Sequence, residues 1–135
     1  MREVLFRGKT YEGEWVQGDL NHYHSGSGVF IAEREAKGDF CKRVDPETTG
    51  QYTGLTDKNG KKIFEGDIVV MNIKGDYTIC KVAWADNVAQ FQLWQKNTIP
   101  HTPTALNLGN YDCEIIGNIH DNPELLGGAD NGKVC

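Results

Sequence analysis

Glycine punctuates the first half of this chain so closely that a long helix has no room to form. Between Gly8 and Gly75 the longest run without glycine is residues 39–49. A glycine inside a helix costs about 1 kcal/mol relative to alanine, and isolated helices below ~12–15 residues are marginal even in favourable sequences. The 16 glycines among 135 residues therefore predict short strands joined by turns. Three Trp, five Tyr and five Phe supply enough large apolar surface for a packed core, which separates the chain from a disordered one.

Period-two patterning then places the strands. Val4–Arg7 and Glu14–Leu20 are predicted to form a hairpin around the Tyr11–Glu14 turn. His22–Gly28 is polar and rich in Gly and Ser, so a loop is expected, followed by a short strand at Val29–Ala32 and a charged connection at Glu33–Asp39. Asp57-Lys58-Asn59-Gly60 has the composition of a reverse turn, because Asp bonds back to the backbone and Asn and Gly tolerate positive φ. Ile68-Val69-Val70-Met71 reads as a strand buried on both faces. Thr78–Trp84 and Val88–Trp94 are expected to pair as a second hairpin, with Cys80, Val82 and Trp84 on one face. A helix is the competing reading, because Val82, Ala85, Ala89 and Leu93 also recur at helical spacing. Thr98–Gly109, with Pro100 and Pro103, is expected to be irregular, and Cys113–Ile119 to be a closing strand. Asp121-Asn122-Pro123-Glu124 reads as a short helical start. The fold class is thus mostly β, a small barrel-like body of antiparallel hairpins ending in a short helical turn. Its expected divisions are an N-terminal hairpin region at 1–51, a barrel-like region at 52–127 and a disordered tail at 128–135.

Lys plus Arg number 14 and Asp plus Glu 19, a net charge of −5. Dedicated nucleic-acid binders usually carry a strongly basic domain, so this balance argues against one. The N-terminus lacks an apolar signal region, and no stretch approaches the ~20 apolar residues of a membrane helix. The four cysteines are far apart and form no CxxC pair. They are expected to be reduced thiols in a cytoplasm.

Few motifs carry chemistry. Gly8-Lys9-Thr10 imitates the end of a phosphate loop, but Glu3 stands where the first glycine belongs. His22 and His24 could share a strand face for zinc, yet no Cys or His follows at ligand spacing. His120 has no Ser or Cys context that would make a triad. Glu65-Gly66-Asp67 could pair two carboxylates as acid and base. The structural alternative is one carboxylate accepting turn N–H groups before a buried strand. Lys58, Lys61 and Lys62 could touch phosphate with an aromatic such as Tyr52, and Trp94 lies on the polar face of its strand. The acidic neighbours Asp57, Glu65 and Asp67 weaken that potential. Gly50, Gly54, Asp57, Gly60, Glu65, Gly66 and Asp67 are expected to shape bends. No metal, cofactor or catalytic group is expected.

Val44–Val69 as a run resembles the signature of the YopX family of phage and prophage proteins. Phe6-Arg7-Gly8 with Gly13–Leu20 is similar to that family's opening, and Glu114–Leu126 to its close. The likeness spans about residues 3–126, with His22–Arg43 and Thr98–Asp112 outside any shared pattern. The resemblance implies a small β-rich, barrel-like protein from a phage or prophage genome, working in a bacterial cytoplasm. It carries over no catalytic or binding residue. The expected function is a non-catalytic accessory module that assembles with itself or with a phage or host protein. The alternative is a nucleic-acid-associated accessory protein using Lys58, Lys61, Lys62 and an aromatic. No membrane partner is expected.

Overall fold

A computed structural model describes residues 3–23, 28–33, 41–73, 75–85, 90–95, 104–105 and 112–126. Among them the chain is antiparallel β, and no α-helix occurs. It divides into two compact units, residues 1–54 and 55–135.

The first unit holds β1 (Phe6–Lys9), β2 (Trp15–Tyr23), β3 (Gly28–Ala32), β4 (Cys41–Val44) and most of β5 (Gly50–Thr56). The strands lie in the order β4-β3-β2-β1-β5. The β1–β2 hairpin pairs Phe6 with Gly18 and Lys9 with Trp15, as the alternation around Tyr11–Glu14 predicts. Strand β2 runs on through His22, where a loop was expected. Polar residues continue a strand when its neighbour supplies the ladder, and here β3 pairs His22 with Val29. Val16, Val29, Ile31 and Val44 form this unit's core, with Phe6 and Leu20 packed against it. A Thr10–Val44 bridge and the Asp45 N–H donating to the Lys9 carbonyl at 2.8 Å pin the end of β4 beside β1. Pro46–Thr48 make a 3-10 turn, its first amide capped by Asp45.

The second unit holds the end of β5, then β6 (Lys62–Phe64), β7 (Asp67–Ile73), β8 (Asp76–Ala85), β9 (Gln90–Gln95), β10 (Thr104–Ala105) and β11 (Asp112–Asn118). The order β10-β9-β8-β7-β11 places β7 between two partners. Ile68 and Val69 are fully buried there and Met71 nearly so, which accounts for the apolar run. The β8–β9 ladder pairs Val82 with Leu93 and Trp84 with Phe91, so the helical alternative for this segment is set aside. Ile63, Val69, Met71, Cys80, Val82, Leu93 and Cys113 form the core.

Three details bear on the expected fold. Among the described residues the ladders form two sheets and no closed barrel, with an isolated bridge from Thr10 to Val44. The expected helical start at Pro123 is a four-residue 3-10 turn, Pro123–Leu126. Trp84 shares a strand face with buried Cys80 and Val82 but is 42% exposed. It sits at the end of β8, past the last core layer, with its ring edge-on to Phe91 at 4.9 Å. The tail at 128–135 and most of the Thr98–Gly109 segment lie outside the described residues.

Cys41 is exposed, whereas Cys80 and Cys113 are buried and unpaired. Burial pushes the Cys80 thiol up to about 11. It pushes Cys113 up to about 12, with the charges of Asp57, Cys80 and Asp67 adding to it. The thiolate is the reactive species, so both should be inert. At pH 8 an alkylating reagent is expected to modify Cys41 promptly and to leave Cys80 and Cys113 untouched until urea unfolds the chain. Peptide mass mapping reads this directly, and fast native labelling of Cys113 would contradict its burial.

Candidate functional site

The Asp57–Lys61 turn is densely hydrogen-bonded within the second unit. Gly60 donates its amide to the Asp57 carbonyl at 3.0 Å, and the Asp57 N–H donates to the Lys61 carbonyl at 2.8 Å. Inside that loop Asp57 Oδ1 accepts from the Asn59 and Lys61 amides, both at 2.9 Å. Its Oδ2 accepts from the Ile115 amide on β11 at 3.1 Å. Lys58 adds a backbone bond to the Cys113 carbonyl at 2.9 Å and an ion pair from Nζ to Glu114 Oε1 at 3.4 Å. The turn thus occupies backbone groups on the outer side of β11, which is an edge strand. Covering an edge this way removes a template for unwanted pairing. Asp57 is only 6% exposed. Burial opposes its ionisation, but the Ile115, Lys61 and Asn59 amides and the Lys61 charge outweigh it and hold the carboxyl below its ordinary value.

The Glu65–Gly66 turn uses a second carboxylate in the same manner. Asp67, 2% exposed, accepts from the Phe64 amide through Oδ2 at 2.8 Å. Gly66 has φ +94°, a conformation that side chains resist. Its amide donates to the Val82 carbonyl at 2.8 Å, and its carbonyl accepts from the Ile119 amide at 2.9 Å. One residue therefore links the β6–β7 turn to β8 and to the end of β11. Glu65 is half-buried beside it.

Of the expected binding residues, Tyr52 falls in the first unit and Lys58, Lys61 and Lys62 fall in the second. Tyr52 is 8% exposed in β5, so its ring presents no face for stacking. Lys58, Lys61 and Lys62 are exposed, with Lys58 paired to Glu114. Trp94 lies in β9 opposite Lys81, and its side chain is outside the described residues. Gly50 is buried at the start of β5, while Gly54 and Gly60 adopt φ +92° and +84°. His22 is exposed in β2, and His24 lies outside the described residues. Among the described residues no group of His, Cys, Asp or Glu is placed to hold a metal.

A different surface, on the first unit, escaped the sequence reading. Arg7 and Lys9 share a face of β1, and the hairpin register sets Trp15 beside them. The Arg7 guanidinium lies 4.8 Å from the Trp15 ring centroid and Lys9 Nζ 6.0 Å. At the hairpin tip Tyr11 is 62% exposed, with the Arg43 guanidinium 5.8 Å from its ring centroid. Thr10 Oγ1 accepts from the Glu14 amide at 3.0 Å and the Thr10 carbonyl from Gly13 at 2.9 Å, which fixes the turn that carries Tyr11. A cleft of about 540 Å³ lies between this turn and β4, lined by Thr10, Tyr11, Glu12, Glu14, Lys42 and Arg43. Lys42 Nζ is shared by Glu14 and Glu33, each at 3.2 Å. The Glu33 and Glu14 bonds raise its pKa. The one legible signal was the alternation of Arg7 and Lys9 across a turn from Trp15. The approach of Arg43 needed the β3–β4 pairing, which no local pattern encodes.

The chain matches the model of the family described as YopX protein over residues 5–127. It is also similar to the crystal structure of protein EF1440 from Enterococcus faecalis. The two share 27% identity with a TM-score of 0.55, over 93% of this chain and 99% of that one. No curated protein matches the chain.

Proposed function

We propose that this chain, which belongs to the YopX family, is a non-catalytic interaction module. A phage or an integrated prophage would use it in a bacterial cytoplasm to bind a protein partner or a second copy of itself. The observation that carries the reading is the commitment of its two best-placed acids. Asp57 and Asp67 are buried and accept backbone N–H groups, so their lone pairs serve the fold rather than a substrate. The nucleic-acid alternative loses support because Lys58 is paired with Glu114 and Tyr52 is buried. The exposed aromatic and guanidinium groups of the first unit are of the types that dominate protein contacts.

Affinity capture of the full chain from cells that carry its genome tests this. The expected result is a protein recovered in stoichiometric amount, retained after nuclease treatment. Light scattering across a hundredfold range of concentration separates a second copy from a foreign partner. Capture that vanishes with nuclease, or a lone monomer with no partner, would overturn the reading.

A further inference from the structure

We propose that the cleft between the β1–β2 turn and β4 docks a peptide segment of a protein partner. That segment places a carboxylate on Arg43 and an apolar side chain against Tyr11. The proposal rests on the interaction-module reading and names where and what such a module binds.

Five observations converge on it. The Arg43 guanidinium lies over an exposed ring, and among the described residues no carboxylate forms an ion pair with it. Its five donors in a rigid fork match a carboxylate bidentately. The neighbouring cation, Lys42, is already held by Glu14 and Glu33, so among the described residues Arg43 is the cleft's positive group without an ion pair. Glu12, exposed on the same cleft, supplies an acceptor for a peptide N–H or a lysine ammonium. A wall that, among the described residues, offers one cation and one anion without ion pairs complements a mixed-charge peptide and disfavours a polyphosphate strand, which would meet Glu12 and Glu14. The turn beneath Tyr11 is braced by the Thr10 bonds, so docking orders little that is not already ordered. A volume of about 540 Å³ accommodates one or two side chains.

The test is an NMR titration of the full chain with acetyl-Leu-Glu-Lys-amide, following the Tyr11 ring and the Arg43 Nε–H. Saturable shifts at both are expected, weakened about fivefold or more, the loss of roughly one interaction, when the peptide carries Gln for Glu. Arg43→Gln should weaken binding as strongly, Arg43→Lys less, and Lys61→Gln not at all. Equal shifts with the Gln peptide would overturn the proposal, as would larger shifts with a thymidine oligonucleotide. Shifts that grow with protein concentration alone would assign the cleft to a second copy and also overturn it. If partner capture persists unchanged in Arg43→Gln and Tyr11→Ala, the cleft is wrong while the module reading stands. If capture fails and the native chain is also a monomer, the module reading itself falls.

Discussion

Asp57→Ala is expected to lower the stability of the second unit by about 3 kcal/mol, because a buried acceptor that serves three amides is removed and each orphaned N–H costs about 1 kcal/mol or more. The Asn59, Lys61 and Ile115 amides lose their partner together. Their hydrogen exchange should accelerate well beyond that of the β7–β8 ladder, which keeps its own bonds. Asp57→Asn should cost roughly half as much, since the amide retains one acceptor but turns a donor toward another N–H. The pH dependence carries a definite sign. The folded pKa lies below the ordinary value of 3.8, so the stabilisation is complete above that value and disappears as pH falls through the folded pKa. Native and Asp57→Asn chains should therefore differ at pH 7 and converge in acid. Urea midpoints measured from pH 7 down to 2 check this. A constant difference across that range would show that the charge of Asp57 contributes nothing.

Gly18→Ala should be more damaging than an added methyl at Gly8, Gly13 or Gly28. A Cβ built at Gly18 falls 2.0 Å from the Ala32 carbonyl oxygen and 2.7 Å from its carbon. Those are backbone atoms on the paired strand β3, where Asp19 faces Ala32, so no side-chain rotation relieves the contact. The ladder must separate beside Val16, Val29 and Ile31. Overpacking in well-filled interiors costs about 1–3 kcal/mol and sometimes more, and the upper end is expected here. Gly13→Ala is the control. Its Cβ meets nothing within 4 Å, but φ is +97°, so only the left-handed backbone penalty of about 1–2 kcal/mol applies. Thermal melts of the two variants should rank Gly18→Ala well below Gly13→Ala. The opposite order would mean that β2 and β3 yield more readily than their close approach implies.

The two turns illustrate what local chemistry makes legible. Asp57-Lys58-Asn59-Gly60 reads as a reverse turn because each residue type favours its own backbone state, and Gly60 takes φ +84° there. Glu65-Gly66-Asp67 reads as a tight entry to a buried strand for the same reason. The docking of the first turn on β11 was not legible, because Asp57 and Ile115 lie 58 residues apart. Tyr52 is buried and Trp84 exposed, although both lie on strands. Strand alternation says which residues share a face, but not whether that face lies over the core or past its end.

Glycine spacing, period-two patterning and Asx-type turn chemistry thus determined by themselves that this polypeptide is β, where most of its strands run and where it bends. These effects act within a few residues, through φ, ψ and neighbouring side chains. The tertiary structure alone decided that β11 would have its edge covered, that Lys58 would meet Glu114, and that Arg43 would lie over Tyr11. Each of those meetings joins segments through strand pairing, and hydrogen bonds between distant segments leave no periodic trace in the sequence of either.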